Sequence, residues 1–120
     1  MKRILFPLAV CAAAVAVMLA VSPFAGARNS AQKKTTVNVT AKEYKFSLSR
    51  TSAPHGVVVF KVVNKGVLKH DFKIAGKKTP LLKHNQSATL TVTLKKGKSP
   101  YICTVKNHAM YGMKGTFKAT

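Results

Sequence analysis

Residues 101–115 of the chain read YICTVKNHAMYGMKG, and the rest of the sequence is organised around them. The stretch contains a thiol, an imidazole and a thioether, contributed by Cys103, His108 and Met113, with four residues between each and the next. Thiolate and thioether sulfurs are soft ligands that favour copper(I), while imidazole binds copper in either oxidation state. One loop therefore supplies three candidate donors for a single copper ion.

A complete site of this type requires a second histidine. Two His, one Cys and a weak axial Met are the donors of a blue-copper electron-transfer centre. Residues 64–72 read NKGVLKHDF and place His70 at the edge of an apolar run, which makes it the candidate second imidazole. Met110 competes with Met113 for the axial position. Only one residue separates Met110 from His108, however, so Met113 is the better candidate.

These two motifs resemble those of the small cupredoxins, the family of plastocyanin, azurin, rusticyanin and sulfocyanin. Asn-x-Gly-x3-His-Asp-Phe resembles the segment that carries the family's first histidine ligand, and Cys-x4-His-x4-Met resembles the rusticyanin and sulfocyanin ligand loop. The resemblance covers roughly residues 36–119. It implies a trigonal copper plane formed by His70, Cys103 and His108. It also implies a weak axial bond from Met113, which has the family's Gly-Met-x-Gly context.

The resemblance also implies a hydrogen bond between Asp71 and Thr104, the residues that follow the first histidine and the cysteine. Such a bond would link the two ligand segments and orient the ligands. The alternative is that Asp71 only offsets the surrounding lysines. Many relatives have Pro-Gly before the loop histidine, where this chain has Lys106 and Asn107. Because Asn can adopt the left-handed conformation that Gly supplies, the loop is expected to survive, while the departure leaves its exact path open.

The N-terminus has the three parts of a secretory signal peptide. Residues 1–27 begin Met-Lys-Arg, continue with an apolar run to residue 21 and end SPFAGA. We predict cleavage after Ala27, with an uncleaved membrane anchor through residues 4–25 as the alternative. A lipoprotein site at Cys11 is a weaker interpretation, because that cysteine lies too early in the apolar run. The protein is therefore expected to be exported, to the periplasm, the cell surface or the exterior.

A single domain is expected after the signal peptide. Residues 28–35 are polar without periodicity and predict a short flexible lead, and residues 36–120 form the predicted cupredoxin domain. Cys103 is then the only thiol of the mature chain and cannot form an internal disulfide. A buried inert cysteine is the alternative to a metal ligand, but the two candidate histidines favour the ligand.

Basic residues dominate the charge. The chain has 21 Lys and Arg against two acidic residues, Glu43 and Asp71, and its net charge is +19 at pH 7. This charge could serve only solubility, but it would also steer the protein toward an acidic partner or an anionic envelope surface. Nucleic acid is the other usual partner of a basic domain. It is not expected here, because exported chains rarely meet it and the lysines are spread through every predicted strand.

Alternation of apolar and polar residues dominates from residue 36 onward and predicts β-strands. It is visible in residues 37–41, 44–48, 69–75 and 87–94, and further strands are predicted at residues 57–63, 99–104 and 114–119. Residues 57–63 are apolar on both faces, which indicates a central strand. About seven short strands without a capped helical segment predict an all-β fold, an antiparallel Greek-key β-sandwich with no helix longer than about two turns.

The remaining histidines, His55 and His84, lie in predicted turns and are expected to be solvent-exposed rather than ligands.

Taken together, the ligand motifs and the signal peptide favour a monomeric, mobile or surface-tethered carrier of single electrons. By resemblance, His108 is the ligand that reaches the surface. Its uncharged flank, residues 109–112, is expected to meet an acidic redox protein such as a c-type cytochrome or an oxidase domain.

Two other classes of function were weighed against the electron carrier. Copper storage or delivery without electron transfer is the alternative, although four methionines in the whole chain are few for a Met-rich delivery site. A copper enzyme would need a second copper cluster and many more histidines than the four present. No enzymatic activity is therefore expected.

Overall fold

Two β-sheets packed face to face make up the part of the chain that the computed structural model describes, residues 33–120. The predicted signal peptide, with its cleavage site after Ala27, lies outside the described residues. So does most of the predicted lead of residues 28–35. Among the described residues, no helix has the length and apolar character needed to cross a membrane.

Residues 33–120 contain nine β-strands and no helix, so the predicted all-β fold is confirmed. The strands are β1 Thr35–Lys42, β2 Lys45–Leu48, β3 Ser52–Ala53, β4 Gly56–Asn64, β5 Lys73–Ile74, β6 Lys77–Lys78, β7 Ser87–Leu94, β8 Gly97–Ile102 and β9 Lys114–Ala119. β1, β7 and β9 lie within one or two residues of their predicted positions. Alternation in residues 37–41 and 87–94 explains the agreement for β1 and β7.

The strand order is β2-β1-β4-β7 in one sheet and β3-β9-β8-β5-β6 in the other. Neighbours that are distant in sequence, such as β4 and β7, require connections that cross between the sheets, as in a Greek key. Five pairings are antiparallel, but β1 pairs with β4 and β3 pairs with β9 in parallel. The sandwich is therefore mainly antiparallel. Alternation could not predict the two parallel pairs, since it is the same in either orientation.

The core lies between the sheets and is built by inward-facing residues of alternating strands. In β4, Val58, Phe60 and Val62 are buried, and this strand is central between β1 and β7 as predicted. The ring of Phe60 lies 5.2 Å from that of Phe72 and 5.3 Å from that of Phe117. Such aromatic pairs each add roughly 0.5–1.5 kcal/mol beyond area burial, and the Phe60–Phe117 pair connects the two sheets.

One predicted strand is shorter than expected and another begins and ends two residues earlier, and both changes concern candidate ligands. The alternating residues 69–75 form a strand only at Lys73–Ile74, and His70 makes an isolated bridge with Leu82. The Phe72 N–H donates to the Thr79 hydroxyl rather than to a strand partner, which interrupts the ladder. β8 ends at Ile102, so Cys103 is the first residue beyond the strand.

Candidate metal centre

The segment that carries His70, residues 64–71, is shaped by one fully buried side chain, that of Asn64. Its amide nitrogen donates to the carbonyls of Leu68 and Leu82, at 2.8 Å each. Its amide oxygen accepts the N–H of Gly66 at 2.8 Å. The asparagine of the Asn-x-Gly motif thus satisfies the Leu68 carbonyl and the Gly66 N–H, and it gives the Leu82 carbonyl a second donor. We call residues 64–71 the His70 segment.

The His70 backbone is fixed from the opposite side by Leu82. The two residues exchange hydrogen bonds, His70 N–H to the Leu82 carbonyl at 3.1 Å and Leu82 N–H to the His70 carbonyl at 2.8 Å. Since Asn64 also donates to the Leu82 carbonyl, the same carbonyl joins both ends of the His70 segment. His70 itself is fully buried. Its position therefore depends on contacts between residues far apart in sequence.

Residues 103–113, the ligand loop, are held mainly by backbone hydrogen bonds within the loop. The Cys103 N–H donates to the Met113 carbonyl at 3.0 Å, which closes the loop, and the Met113 N–H donates to the His108 carbonyl at 3.1 Å. The His108 N–H donates to the Val105 carbonyl at 3.0 Å. Asn107 has φ of 70°. This is the left-handed conformation that was expected of the residue in place of the family's glycine.

These two segments bring three candidate ligands together at one end of the sandwich. The donor atoms of His70, Cys103 and His108 all lie within 4.8 Å of one another, and all three residues are buried. His70 Nδ1 lies 3.1 Å from His108 Nδ1, and Cys103 Sγ lies 3.9 Å and 3.6 Å from these two nitrogens. Two nitrogens at about 2.0 Å and a sulfur at about 2.3 Å from one metal stand roughly 3–4 Å apart. The donors therefore fit a single metal ion.

The two methionines of the loop occupy very different environments. Met113 is fully buried and shares a small core cluster with Ala41 and Cys103, against which Phe46 and Val105 pack. Met110 is 77% exposed. A thioether that packs beside the buried thiol is suited to an axial position, and one that points to solvent is not. The geometry thus favours Met113 over Met110 as a fourth donor.

Asp71 and Thr104, proposed above as a link between the ligand segments, are in contact. The Thr104 N–H donates to Asp71 Oδ1 at 2.6 Å, and its hydroxyl donates to Asp71 Oδ2. Asp71 is only 4% exposed, so its carboxylate does more than offset the charge of the surface lysines. The pair joins the residue after His70 to the residue after Cys103.

Burial favours the neutral forms of two donors. It raises the pKa of the Cys103 thiol, and hydrogen bonds from the backbones of Asp71 and Val105 oppose that shift. Burial and the nearby charge of His70 lower the pKa of His108. A neutral imidazole has a free lone pair for a metal, but the thiol must lose its proton when a metal binds. Metal binding should therefore release a proton from Cys103.

Glu43 is a polar contact of the candidate donors that sequence analysis did not identify. Its Oε1 lies 3.1 Å from His70 Nε2 and accepts the Leu68 N–H at 2.6 Å. The hydrogen bond from Leu68 lowers the pKa of Glu43, and the bond from His70 adds to the effect. One signal was available in the sequence, since Glu43 and Asp71 are the only acidic residues of the chain. Both of them lie at the site.

The other two histidines are outside the cluster and exposed, as expected. His55 Nδ1 lies 2.8 Å from the Thr120 carbonyl, at the end of the chain. His84 Nδ1 lies 2.7 Å from the Gly66 carbonyl, so this ring contacts the His70 segment without approaching its donors. Within residues 33–120, the cluster of His70, Cys103 and His108 is the one group of three such donors.

Comparison with known proteins supports the same architecture. Residues 10–117 match the model of the cupredoxin-like domain. No curated protein sequence matches the chain. Among solved structures, a dithionite-reduced auracyanin from the photosynthetic bacterium Roseiflexus castenholzii is 18% identical, with a TM-score of 0.64, and the match covers 72% of this chain and 97% of that one.

Two further auracyanins have the same fold. Auracyanin B is 24% identical, with a TM-score of 0.62 over 73% of this chain and 89% of that one. Auracyanin A of Chloroflexus aurantiacus, described as a blue copper protein, is 18% identical, with a TM-score of 0.58 over 72% of this chain and 99% of that one. The family match spans most of the sequence, and the described fold and donor cluster agree with it. The chain belongs to the cupredoxin-like family.

Proposed function

We propose that this protein is an exported blue-copper carrier of single electrons. The observation that carries the proposal is the buried cluster of His70, Cys103 and His108, whose donor atoms lie within 4.8 Å of one another. One thiolate and two imidazoles are the equatorial donors of such centres. Among the solved structures of similar fold, auracyanin A is described as a blue copper protein. Export is proposed from the signal-like residues 1–27.

A copper ion bound by these residues supplies the one-electron couple, between copper(I) and copper(II). The chain's own contribution is to hold the donors in one arrangement in both states. His70 is fixed by the Leu82 bridge, and Cys103 and His108 are fixed by the hydrogen bonds of the ligand loop. Donors on two separately anchored segments move little when an electron arrives or leaves. Little reorganisation is what a carrier requires.

Met113 is proposed as the weak axial donor. It is fully buried beside Cys103, and its carbonyl accepts the Cys103 N–H, so thioether and thiol belong to the same packed unit. In sites of this kind the axial ligand and the polarity around the cysteine sulfur tune the reduction potential. We therefore propose that Met113 tunes the reduction potential. The three equatorial donors, His70, Cys103 and His108, would retain the metal.

Electrons are proposed to enter and leave through His108, which is 7% exposed. An apolar rim of Tyr44, Met110 and Tyr111 lies around it. The Tyr44 ring lies 5.3 Å from His108 and 5.0 Å from Tyr111, and Met110 and Tyr111 are 77% and 61% exposed. Such a patch suits a small transient interface. On a chain of net charge +19, the surrounding charge favours an acidic partner, such as a c-type cytochrome or an oxidase domain.

The visible spectrum of the purified protein loaded with copper(II) tests the proposal. We expect an intense absorption band in the orange-red, because a thiolate ligand donates charge to copper(II). A pale spectrum without that band would contradict the electron carrier and would favour copper storage or delivery. A protein that retains no copper after gel filtration would contradict both functions.

The rim and its partner can be tested by measuring bimolecular electron-transfer rates with an acidic and a basic cytochrome. We expect the rate with the acidic cytochrome to fall as ionic strength rises, because salt screens the attraction. A rate that stays flat between low and physiological salt would remove electrostatic steering. Met110→Lys should slow the exchange by disturbing the rim, and Leu81→Lys, which adds the same charge at an exposed apolar position outside the rim, should not.

A further inference from the structure

The chain places both of its acidic residues at the candidate metal site, although it has 21 basic ones. Asp71 binds Thr104 and joins the ligand segments. The role of Glu43 is different. It lies in the connection between β1 and β2, 27 residues before His70, and reaches across to the His70 ring. A carboxylate in that place needs a separate explanation.

The Glu43 carboxylate is held in a defined position. Its Oε1 accepts the Leu68 N–H at 2.6 Å and faces His70 Nε2 at 3.1 Å, and the side chain is 28% exposed. Gly66 makes room for it, because a Cβ at Gly66 would lie 2.8 Å from the Glu43 carboxyl carbon, closer than such atoms approach. The lack of a side chain at Gly66, the glycine of the Asn-x-Gly motif, thus leaves the space that the Glu43 carboxylate occupies.

This contact determines which His70 nitrogen is free. An ionised carboxylate only accepts hydrogen bonds, so Nε2 must carry the proton. In the neutral ring Nδ1 then has the lone pair. Nδ1 is the nitrogen that lies 3.1 Å from His108 Nδ1 and 3.9 Å from Cys103 Sγ. Glu43 therefore selects the tautomer whose lone pair faces the other donors.

We propose that Glu43 is the positioning residue of His70, and that its negative charge lowers the reduction potential of the site. Metal-binding histidines commonly donate their second ring N–H to such an outer partner, which orients the ring and makes it a better donor. A negative charge beside the ligand also favours the more positive metal state, copper(II). The claim about the potential rests on the proposed function, whereas the claim about the tautomer does not need copper.

The first test uses the metal-free protein. Nitrogen–proton NMR at alkaline pH, where the imidazoles are neutral, reports which ring nitrogen of His70 carries the proton. We expect Nε2–H in the wild type and in Glu43→Gln, whose amide oxygen still accepts the bond. A mixture of tautomers is expected in Glu43→Leu. Lys42→Gln, an exposed change of one charge at the neighbouring residue, should match the wild type. Nδ1–H in the wild type, or an unchanged tautomer in Glu43→Leu, would overturn the positioning role.

The second test uses bound metal. We expect Glu43→Leu to bind zinc(II), a redox-inert probe, roughly 10- to 100-fold more weakly, the usual effect of removing an outer partner. Glu43→Gln should bind it nearly as well as the wild type. In the copper protein, Glu43→Gln should have a higher reduction potential, because one negative charge beside His70 is gone. An unshifted or lower potential would overturn the electrostatic role.

A third variant moves the carboxylate without removing it. Gly66→Ala should displace Glu43 and produce the tautomer mixture of Glu43→Leu. In a Glu43→Ala background, where nothing occupies that space, Gly66→Ala should have no further effect on the tautomer. Equal effects in both backgrounds would contradict the contact. A wild type without the intense copper band would refute the proposed function and leave the tautomer result standing.

Discussion

The His70 segment and the ligand loop hold their histidines by different means. The ligand loop is organised from within, because the backbone hydrogen bonds of Cys103, His108 and Met113 all join residues of the loop. The His70 segment is held from within by the Asn64 side chain and from outside by the Leu82 bridge and by Glu43. A short loop can specify its own shape from a few residues. A segment without regular pairing depends on side chains brought to it by the fold.

Apart from the contacts among the candidate donors, Asp71 and Thr104 link the two regions. Each residue follows a candidate ligand in the sequence, so the link transmits the position of one segment to the other. Changes in the His70 segment are therefore expected to act on stability through the buried polar network. Changes in the ligand loop should act on the chemistry of the donors or on a local backbone conformation.

The largest effect is expected from Cys103→Ser in the ligand loop. We expect complete loss of the intense visible band of the copper(II) protein, because no other thiolate lies in the buried cluster. Absorption spectroscopy of the copper-loaded variant measures this. His84→Ala, which removes an exposed histidine outside the cluster, should keep the band. A Cys103→Ser protein that stays blue would show that the donor set is wrong.

A large loss of stability is expected from Asn64→Ala in the His70 segment. The change leaves the Leu68 carbonyl and the Gly66 N–H without their side-chain partner. We expect the free energy of unfolding of the metal-free protein, measured in urea, to fall by about 2–4 kcal/mol. Asn38→Ala, at an exposed position of β1, should change it by less than about 0.5 kcal/mol. Equal effects of the two changes would contradict the network.

A smaller effect on stability is expected from Asn107→Ala in the ligand loop. The residue has φ of 70°, a conformation that costs an alanine roughly 1 kcal/mol. Urea unfolding of the metal-free protein should show that loss. Asn107→Gly is the matched control and should change the free energy of unfolding by less than about 0.5 kcal/mol, because glycine adopts positive φ freely. If both variants were destabilised equally, the amide side chain rather than the backbone would matter.

The smallest change is expected from Met113→Leu, which should keep both the fold and the blue colour. The substitution nearly conserves volume at a buried position, and the axial bond is weak, so only the reduction potential should shift. Voltammetry of the copper protein measures it. Met110→Leu, at a site 77% exposed, should leave the potential unchanged. Loss of copper from Met113→Leu would indicate a stronger axial role, and a shift only in Met110→Leu would reverse the assignment.

More of the ligand loop than of the His70 segment could be predicted from the sequence. The spacing of Cys103, His108 and Met113 is local, and so is the left-handed conformation expected at Asn107 and observed there. Sequence analysis also predicted strands wherever alternation was strong, as in β7. It predicted too long a strand around His70, because alternation does not show that a side-chain hydrogen bond ends the ladder at Phe72.

Three contacts missed by sequence analysis join residues that are far apart in the chain. Glu43 reaches His70 across 27 residues, and Asn64 reaches Leu82 across 18. The parallel pairing of β1 with β4 is of the same kind. No periodic pattern and no motif spacing in the sequence predicts any of these contacts. The rarity of acidic residues was the one clue to Glu43, and it identified an unusual residue without identifying its partner.

The order of residues alone was enough to establish an all-β chain with a Cys-His-Met loop and an upstream histidine, because period, spacing and ligand chemistry are local properties. The three-dimensional fold was needed to bring His70 Nδ1 within 3.1 Å of His108 Nδ1 and to bury Met113 while leaving Met110 exposed. It also placed Glu43 on the far side of the His70 ring. Burial and long-range approach result from packing the whole sandwich, so no short stretch of sequence contains them.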